Sequence, residues 1–254
     1  MTAPTAPASG RPLPSPFVAV VAYTLRACLP AKRWFGILLP CAGALLFGLL
    51  AQVNSSSNDG LADVAEGGLF HLILPLTCLI IGDAVLGADV RAGSFPLTWL
   101  SPLPFPVITI GRWLGGWLVA LVTVVPSMAL ATVLAGVPDA LVPIAVATAV
   151  GAAAYLALFI VIGIVVRRAA IWSLAIVLLG EWLLGATLTG IAQLSPLWMA
   201  QQAFAGLWDD GYLLERSGIP SGWGAVVRLA VLTVVMLLIA TWRMRRMRPI
   251  GGDD

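Results

Sequence analysis

The sequence predicts an all-α integral membrane protein with six transmembrane helices and both termini in the cytoplasm. Three observations predict it. Hydrophobic residues make up 60% of the chain and charged residues 10%, where a soluble domain carries about 25% charged residues. The apolar residues gather in six runs, each long enough to cross ~30 Å of hydrocarbon as a helix. The basic residues collect in every second connection between those runs, the bias that sets orientation.

The elements follow in chain order. Residues 1–16 are rich in proline, alanine and serine and are expected to be a disordered tail. No basic stretch followed by a short apolar core and a cleavage site opens the chain, so no removable signal peptide is expected. Phe17–Leu29 reads FVAVVAYTLRACL and is followed by Lys32 and Arg33. It is too short to span and is flanked by cations, which predicts an interfacial helix on the cytoplasmic surface. The six spans then run at about Trp34–Val53, Leu69–Leu86, Val107–Leu134, Leu141–Val166, Ile171–Leu194 and Ala225–Trp242. In lipid, backbone N–H and C=O groups must be satisfied within the segment, so continuous runs of this length mean helices; barrel strands would be short and alternating. Residues 17–248 thus form a single transmembrane domain, and 249–254 a short C-terminal tail.

With the N-terminus inside, the cytoplasmic side receives Arg11, Arg26, Lys32, Arg33, Arg91, Arg112, Arg167, Arg168, Arg243, Arg245, Arg246 and Arg248, and only Arg216 and Arg228 fall outside. The outer connections carry Asp59, Asp63, Glu66, Asp139, Asp209, Asp210 and Glu215 instead. The turn at Gly136–Ala140 makes the third and fourth spans antiparallel neighbours, while the polar stretch Asn54–Gly68 is expected to be a mobile loop. Cys28, Cys41 and Cys78 lie in or beside apolar segments without CxxC spacing, so they are expected to behave as small hydrophobes.

Two larger connections are candidates for function. The cytoplasmic stretch Gly87–Pro106 reads GADVRAGSFPLTWLSPLPFP. Its prolines remove backbone donors and forbid entry into the bilayer as one helix, so it lies at the interface or docks on a partner. The outer stretch Ser195–Gly224 opens SPLWMAQQAFAGLWDDG. Leu197, Ala200, Phe204 and Leu207, with Trp198 and Trp208, recur at helical spacing, while Gln201 and Gln202 fall on the more polar side. Tryptophan favours the membrane–water boundary, which predicts a short helix at or dipping into the outer leaflet.

Ionisable residues inside the spans are few. Glu181, with Trp182 beside it, lies near the middle of the fifth span. A carboxylate there costs at least ~2.5 kcal/mol, so it either lines a wet path or subunit interface, or hydrogen-bonds to a neighbouring helix as the neutral acid. Asp83 lies in the last turn of the second span, and Arg112 near the start of the third has a stem long enough to snorkel. Gly111 and Gly115 give a GxxxG spacing that permits close helix approach. The RMRRMR run at Arg243–Arg248 is expected to anchor the last span to anionic headgroups rather than to bind nucleic acid.

Much chemistry is absent from the sequence. There is no GxxxxGK[ST] phosphate loop and no HExxH. The lone His71 cannot build a metal site, and a Ser–Lys dyad would need Lys32, the only lysine, which has no matched serine motif. No metal site, bound cofactor or catalytic residue is expected.

The stretch after the second span resembles the membrane subunits of type-2 ATP-binding-cassette (ABC) exporters. That family carries there an acidic residue, a Gly–Ser/Thr pair, an apolar run, a Ser/Thr-Pro-Leu step and a basic residue opening the third span. The matching positions are Asp89, Gly93-Ser94, Leu97 to Leu100, Ser101-Pro102-Leu103 and Arg112. Arg112 stands where the family usually has lysine, and Pro96, Pro102, Pro104 and Pro106 are more prolines than it usually has. The resemblance extends to the interfacial helix, the six spans and an outer reentrant segment before the last span, so it covers nearly the whole chain.

It implies a permease subunit in the cell membrane that pairs with a second permease copy and with a separate ATPase subunit, which would hold the ATP and Mg. Asp89, Arg91, Gly93, Ser94, Leu97, Trp99, Pro102 and Arg112 would couple to that ATPase. Glu181, Trp182, Trp198 and Phe204 would line or gate the path of a hydrophobic or amphipathic cargo. A force-transmitting ABC subunit that moves no substrate is the alternative. An intramembrane enzyme, acting without any ATPase, is the more distant one.

Overall fold

The computed structural model describes residues 15–28, 31–54, 57–87, 103–166, 169–184 and 187–246. Every regular element among them is helical. In chain order these are α1 (Pro16–Cys28), α2 (Ala31–Asn54) and α3 (Ser57–Val64), which continues through a π-helical stretch (Ala65–Ile73), α4 (Leu74–Gly82) and a second π-helical stretch (Asp83–Gly87). After these come α5 (Phe105–Val122), α6 (Val124–Leu134), a 3₁₀ turn (Pro138–Ala140) and α7 (Leu141–Val165). The last group is α8 (Ala169–Ala175), a third π-helical stretch (Ile176–Leu184), α9 (Thr189–Ala192), α10 (Pro196–Ala205), a 3₁₀ turn (Gly211–Leu214) and α11 (Trp223–Arg246).

Among the described residues five helices are long and apolar enough to cross a membrane: Trp34–Val53, Asn58–Val85, Phe105–Leu134, Pro138–Val165 and Trp223–Arg246. The expected fifth span, 171–194, is not among them. The described helix there runs from Ala169 to Leu184, residues 185–186 lie outside the described residues, and the four-residue α9 follows from Thr189.

One departure concerns Asn54–Gly68, expected as a mobile loop. From Ser57 onward this stretch is helical and leads straight into the second long helix. Leu61, Ala62, Ala65 and Leu69 are buried along one side, while Asp59, Asp63 and Glu66 face outward. A high content of Ser, Asn, Asp and Gly conceals that apolar stripe in the sequence.

The bundle is organised around α7. Its sequence, LVPIAVATAVGAAAYLALFIVIGIV, is apolar on every face and rich in alanine, and a helix of that kind belongs in a core. Small side chains let neighbours approach closely, and α7 packs against α4, α5, α6, α8, α10 and α11. Trp113 and Trp117 on α5 stack on each other 5.5 Å apart. They donate their indole N–H groups to the α7 carbonyls of Ala153 and Ala149, each at 2.9 Å.

The turn into α7 explains the antiparallel pairing of α6 and α7. Gly136 has φ 81°, left-handed. Its N–H bonds Val133 O and the Val137 N–H bonds Thr132 O, both at 3.0 Å, the paired closure of a helix that ends on glycine. Between α5 and α6, Thr123 breaks the helix at φ −111° and ψ −75°. Pro126 has no N–H to offer the carbonyl of Val122, which locates the break.

At the periphery, α11 is the least buried of the five long helices. Ala225, Leu229, Thr233, Ala240 and Met244 face the bundle, while Val227, Val231, Val234, Leu238 and Trp242 are exposed. The exposed Trp223 and Trp242 are 19 positions apart, about 29 Å at ~1.5 Å per residue. Cys28, Cys41 and Cys78 are all buried and unlinked, as expected.

Candidate functional site

Charge sorts the described residues to opposite ends of the bundle. At one end Met244 of α11 accepts a 3.4 Å contact from the Thr109 hydroxyl of α5, and Arg112 reaches Val85 of the second long helix. Arg243, Arg245 and Arg246 lie at that end, with Arg26 of α1. At the other end Asn58 donates to Asp210 at 2.7 Å and Trp208 to Asp139 at 3.1 Å.

The arginine end is built on two glycines. A Cβ on Gly111 would lie 2.8 Å from Val20 Cγ1, and one on Gly115 would lie 2.7 Å from Thr24 Cβ. The GxxxG spacing of α5 is therefore the seat of α1, whose Val20 and Thr24 fall one turn apart. Beside that seat Arg112 is buried at 6% exposure. Its Nη1 donates to Val85 O at 3.1 Å. The guanidinium also lies 5.9 Å from the Tyr23 ring centroid of α1. Arg112 thus does not snorkel outward; a backbone acceptor and an aromatic face hold it inside, tying α1, α5 and the end of the second long helix together. The other expected coupling residues, Asp89, Arg91, Gly93, Ser94, Leu97, Trp99 and Pro102, lie outside the described residues.

The acidic end holds the expected gate residues. Every residue of α10 is buried, so the segment is no surface-lying helix. Gln201 and Gln202, expected on its polar side, are 1% and 0% exposed. The polar side of α10 faces the protein's own return loop. Gln202 Nε2 donates to Leu214 O at 2.8 Å, and its Oε1 accepts from Arg216 N–H at 3.0 Å. Replacing Gln202 with alanine strands both backbone groups and is expected to cost about 1–3 kcal/mol. Unfolding of the purified protein in mixed micelles would read that loss; an unchanged midpoint would mean the loop does not depend on this side chain.

Glu181 sits under the start of α10, 4% exposed. Tyr155 of α7, fully buried, donates its hydroxyl to Oε2. Ser195 donates to Oε1 at 2.9 Å and accepts from Trp198 N–H at 3.4 Å, so it caps α10 while holding the carboxylate. The Leu197 N–H also bonds the carboxylate. Trp198 closes the cluster by donating its indole N–H to Glu181 O at 3.0 Å. Three donors and the positive end of a helix dipole answer the cost of burying an acid at this depth.

Around Trp198 lie Arg216, whose guanidinium is 4.5 Å from the ring centroid, and His71, edge-on at 5.3 Å. His71 itself bonds Glu66 O. Phe204 sits 5.7 Å from Phe70 and stacks on Trp208 at 5.3 Å. Of the four expected path residues, the structure thus brings Glu181 and Trp198 into direct contact, places Phe204 further along α10, and leaves the Trp182 side chain outside its description. Beside α10 a groove of about 480 Å³ opens between Gly190, Gln193, Leu194, Met199 and α11, with Arg228 in its wall.

Sequence reasoning missed Tyr155, Ser195, Gln202 and Arg216. Two signals pointed to the first two. Tyr155 is the one tyrosine inside the expected spans, and a buried phenol needs a partner. Ser195-Pro196 is a cap followed by proline at the first helical position. Among the described residues no group of His, Cys, Asp and Glu could hold a metal ion. No protein-family model matches the chain, and a search of curated proteins returns no match.

Proposed function

We propose that this chain is the membrane-embedded permease subunit of an ABC transporter, exporting a hydrophobic or amphipathic cargo with energy from a separate ATPase. The observation that carries the reading is the packed unit of α1, Arg112 and Val85 at the arginine end. It stands where the segment 88–102 leaves and returns, the segment whose sequence resembles the coupling element of type-2 exporters.

In this reading the arginine end faces the cytoplasm of the cell membrane, with both termini inside. α8, the π-helical stretch Ile176–Leu184 and α9 belong to the fifth of six crossings, and α10 is the reentrant segment. A second permease copy completes the pathway. Closure of the ATPase subunits pushes on residues 87–106 and on α1. Arg112 passes that motion to the second long helix, which runs on to Phe70 and His71 beside α10. The differential affinity for cargo then resides in two arrangements of α10, latched and released.

The test is gentle affinity purification of the tagged protein, with mass spectrometry of what stays bound. A stoichiometric soluble partner with a phosphate-loop motif, lost on changing residues 89–102 or on Arg112→Ala, is the expected result. Purification without any ATPase, even after crosslinking, would sink the reading. The complete burial and multiple ties of α10 favour one second reading, a subunit that transmits force to an outer protein without exporting a substrate. ATP-dependent uptake into inverted vesicles separates the two.

A further inference from the structure

A second groove runs along the opposite half of α11, between it and the start of α5. It has a volume of about 510 Å³ and is lined by Pro106 and Ile110 of α5 with Val234, Leu238, Trp242 and Arg245 of α11. Among the described residues the lining holds one charge, the Arg245 guanidinium, and no carboxylate. The Thr241 hydroxyl in its wall already donates to Leu237 O at 2.8 Å, so it makes no demand on an occupant. The Arg246 guanidinium covers the Trp242 ring at 4.2 Å and adds positive charge beside the groove.

We infer that this groove is a binding site for one anionic phospholipid, its acyl chain along Ile110, Val234 and Leu238 and its phosphate at Arg245. The shape asks for a molecule apolar over most of its length, and the charge asks for an anion at one end. A guanidinium offers a phosphate two parallel donors, and Trp242 stands at the level where an indole meets headgroups. A general attraction of the arginine run to a negative surface would need no groove. Here the chain contact and the charge contact are fixed to each other by one helix.

The inference rests on α11 crossing a membrane, but not on the transporter reading. Extraction of the chain only by detergent tests that placement separately. The experiment is native mass spectrometry of the full chain in detergent, titrated with phosphatidylglycerol or phosphatidylcholine of identical acyl chains. One phosphatidylglycerol is expected to bind at least about fivefold tighter than phosphatidylcholine, the scale of one guanidinium near an anionic headgroup. Arg245→Gln should erase that preference, and Arg228→Gln, in the other groove, should leave it intact. Ile110→Trp, which fills the groove with every arginine present, should lose the bound lipid. Equal binding of the two lipids, or a preference untouched by Arg245→Gln or by Ile110→Trp, would overturn the inference. So would a dimer abolished by Ile110→Trp, because a second copy would then occupy the groove.

Discussion

Glu181→Ala is expected to be the most damaging single substitution in the chain. It removes the acceptor for the Tyr155 hydroxyl, the Ser195 hydroxyl and the Leu197 N–H at once, at a residue only 4% exposed. A buried donor left without a partner costs about 1–3 kcal/mol, and three act together here. The loss should therefore reach on the order of 3 kcal/mol or more, allowing for relaxation. Tyr155→Phe removes one donor and leaves the acceptor, so it should cost about 1 kcal/mol; Ser195→Ala removes a donor and the α10 cap together and should cost about 1–3 kcal/mol. Glu181→Gln keeps one carbonyl oxygen but puts an NH2 in place of the other, so the hydroxyl facing it must turn from donor to acceptor, and the loss should fall between.

Reversible unfolding in mixed micelles would rank the four variants. Proteolysis near Arg216 would report whether α10 has come loose, because release of α10 frees the loop that Gln202 holds. If Glu181→Ala were no worse than Tyr155→Phe, the carboxylate would not be the latch. Glu181→Gln should still assemble but should alter transport or substrate-stimulated ATPase activity. The carboxylate's hold on α10 is then weakened without being abolished.

The long helices were legible because their signal is redundant. Every residue of a membrane helix must be apolar or excused, so α7 and α11 stand out in sequence at any reasonable boundary. Helix existence failed where polarity is answered inside the protein. Asp59, Asp63 and Glu66 made Ser57–Val64 read as loop, although Leu61, Ala65 and Leu69 bury one side of it. At Gln202 the helix was expected but the partner was not: its amide meets the return loop. A glutamine with water as partner and one with a return loop as partner look identical in sequence.

Pairing across sequence was the least legible part. Glu181 announced that it needed donors, but Tyr155 is 26 positions before it and Ser195 14 after. Only the packing of three elements at α7 brings them together. Ser-Pro-Leu occurs twice in the chain, at 101–103 and at 195–197. The first drew the family comparison, and the second turned out to cap the buried helix.

Gly115→Ala is expected to unseat α1, and this is the second large effect. The new methyl would stand 2.7 Å from Thr24 Cβ and 3.2 Å from Val21 O, so a backbone atom blocks retreat on one side. Overpacking of that kind costs about 1–3 kcal/mol, and it falls on the seat where α1 packs against α5. The five long helices do not depend on α1, so helicity by circular dichroism should stay unchanged. If the proposed transporter function holds, ATP-dependent transport should fall by about tenfold or more, because a shift of ~1.4 kcal/mol in a coupling equilibrium is already a factor of ten. The decisive comparison is the double variant Gly115→Ala with Thr24→Gly, which moves the small residue to the other helix and reopens the space. Restored transport in the double variant would show that contact between α1 and α5, rather than glycine at 115 as such, carries the motion. No rescue, with a normal fold by every other measure, would mean that α1 is not the relay and that force enters the bundle through Arg112 and the second long helix alone.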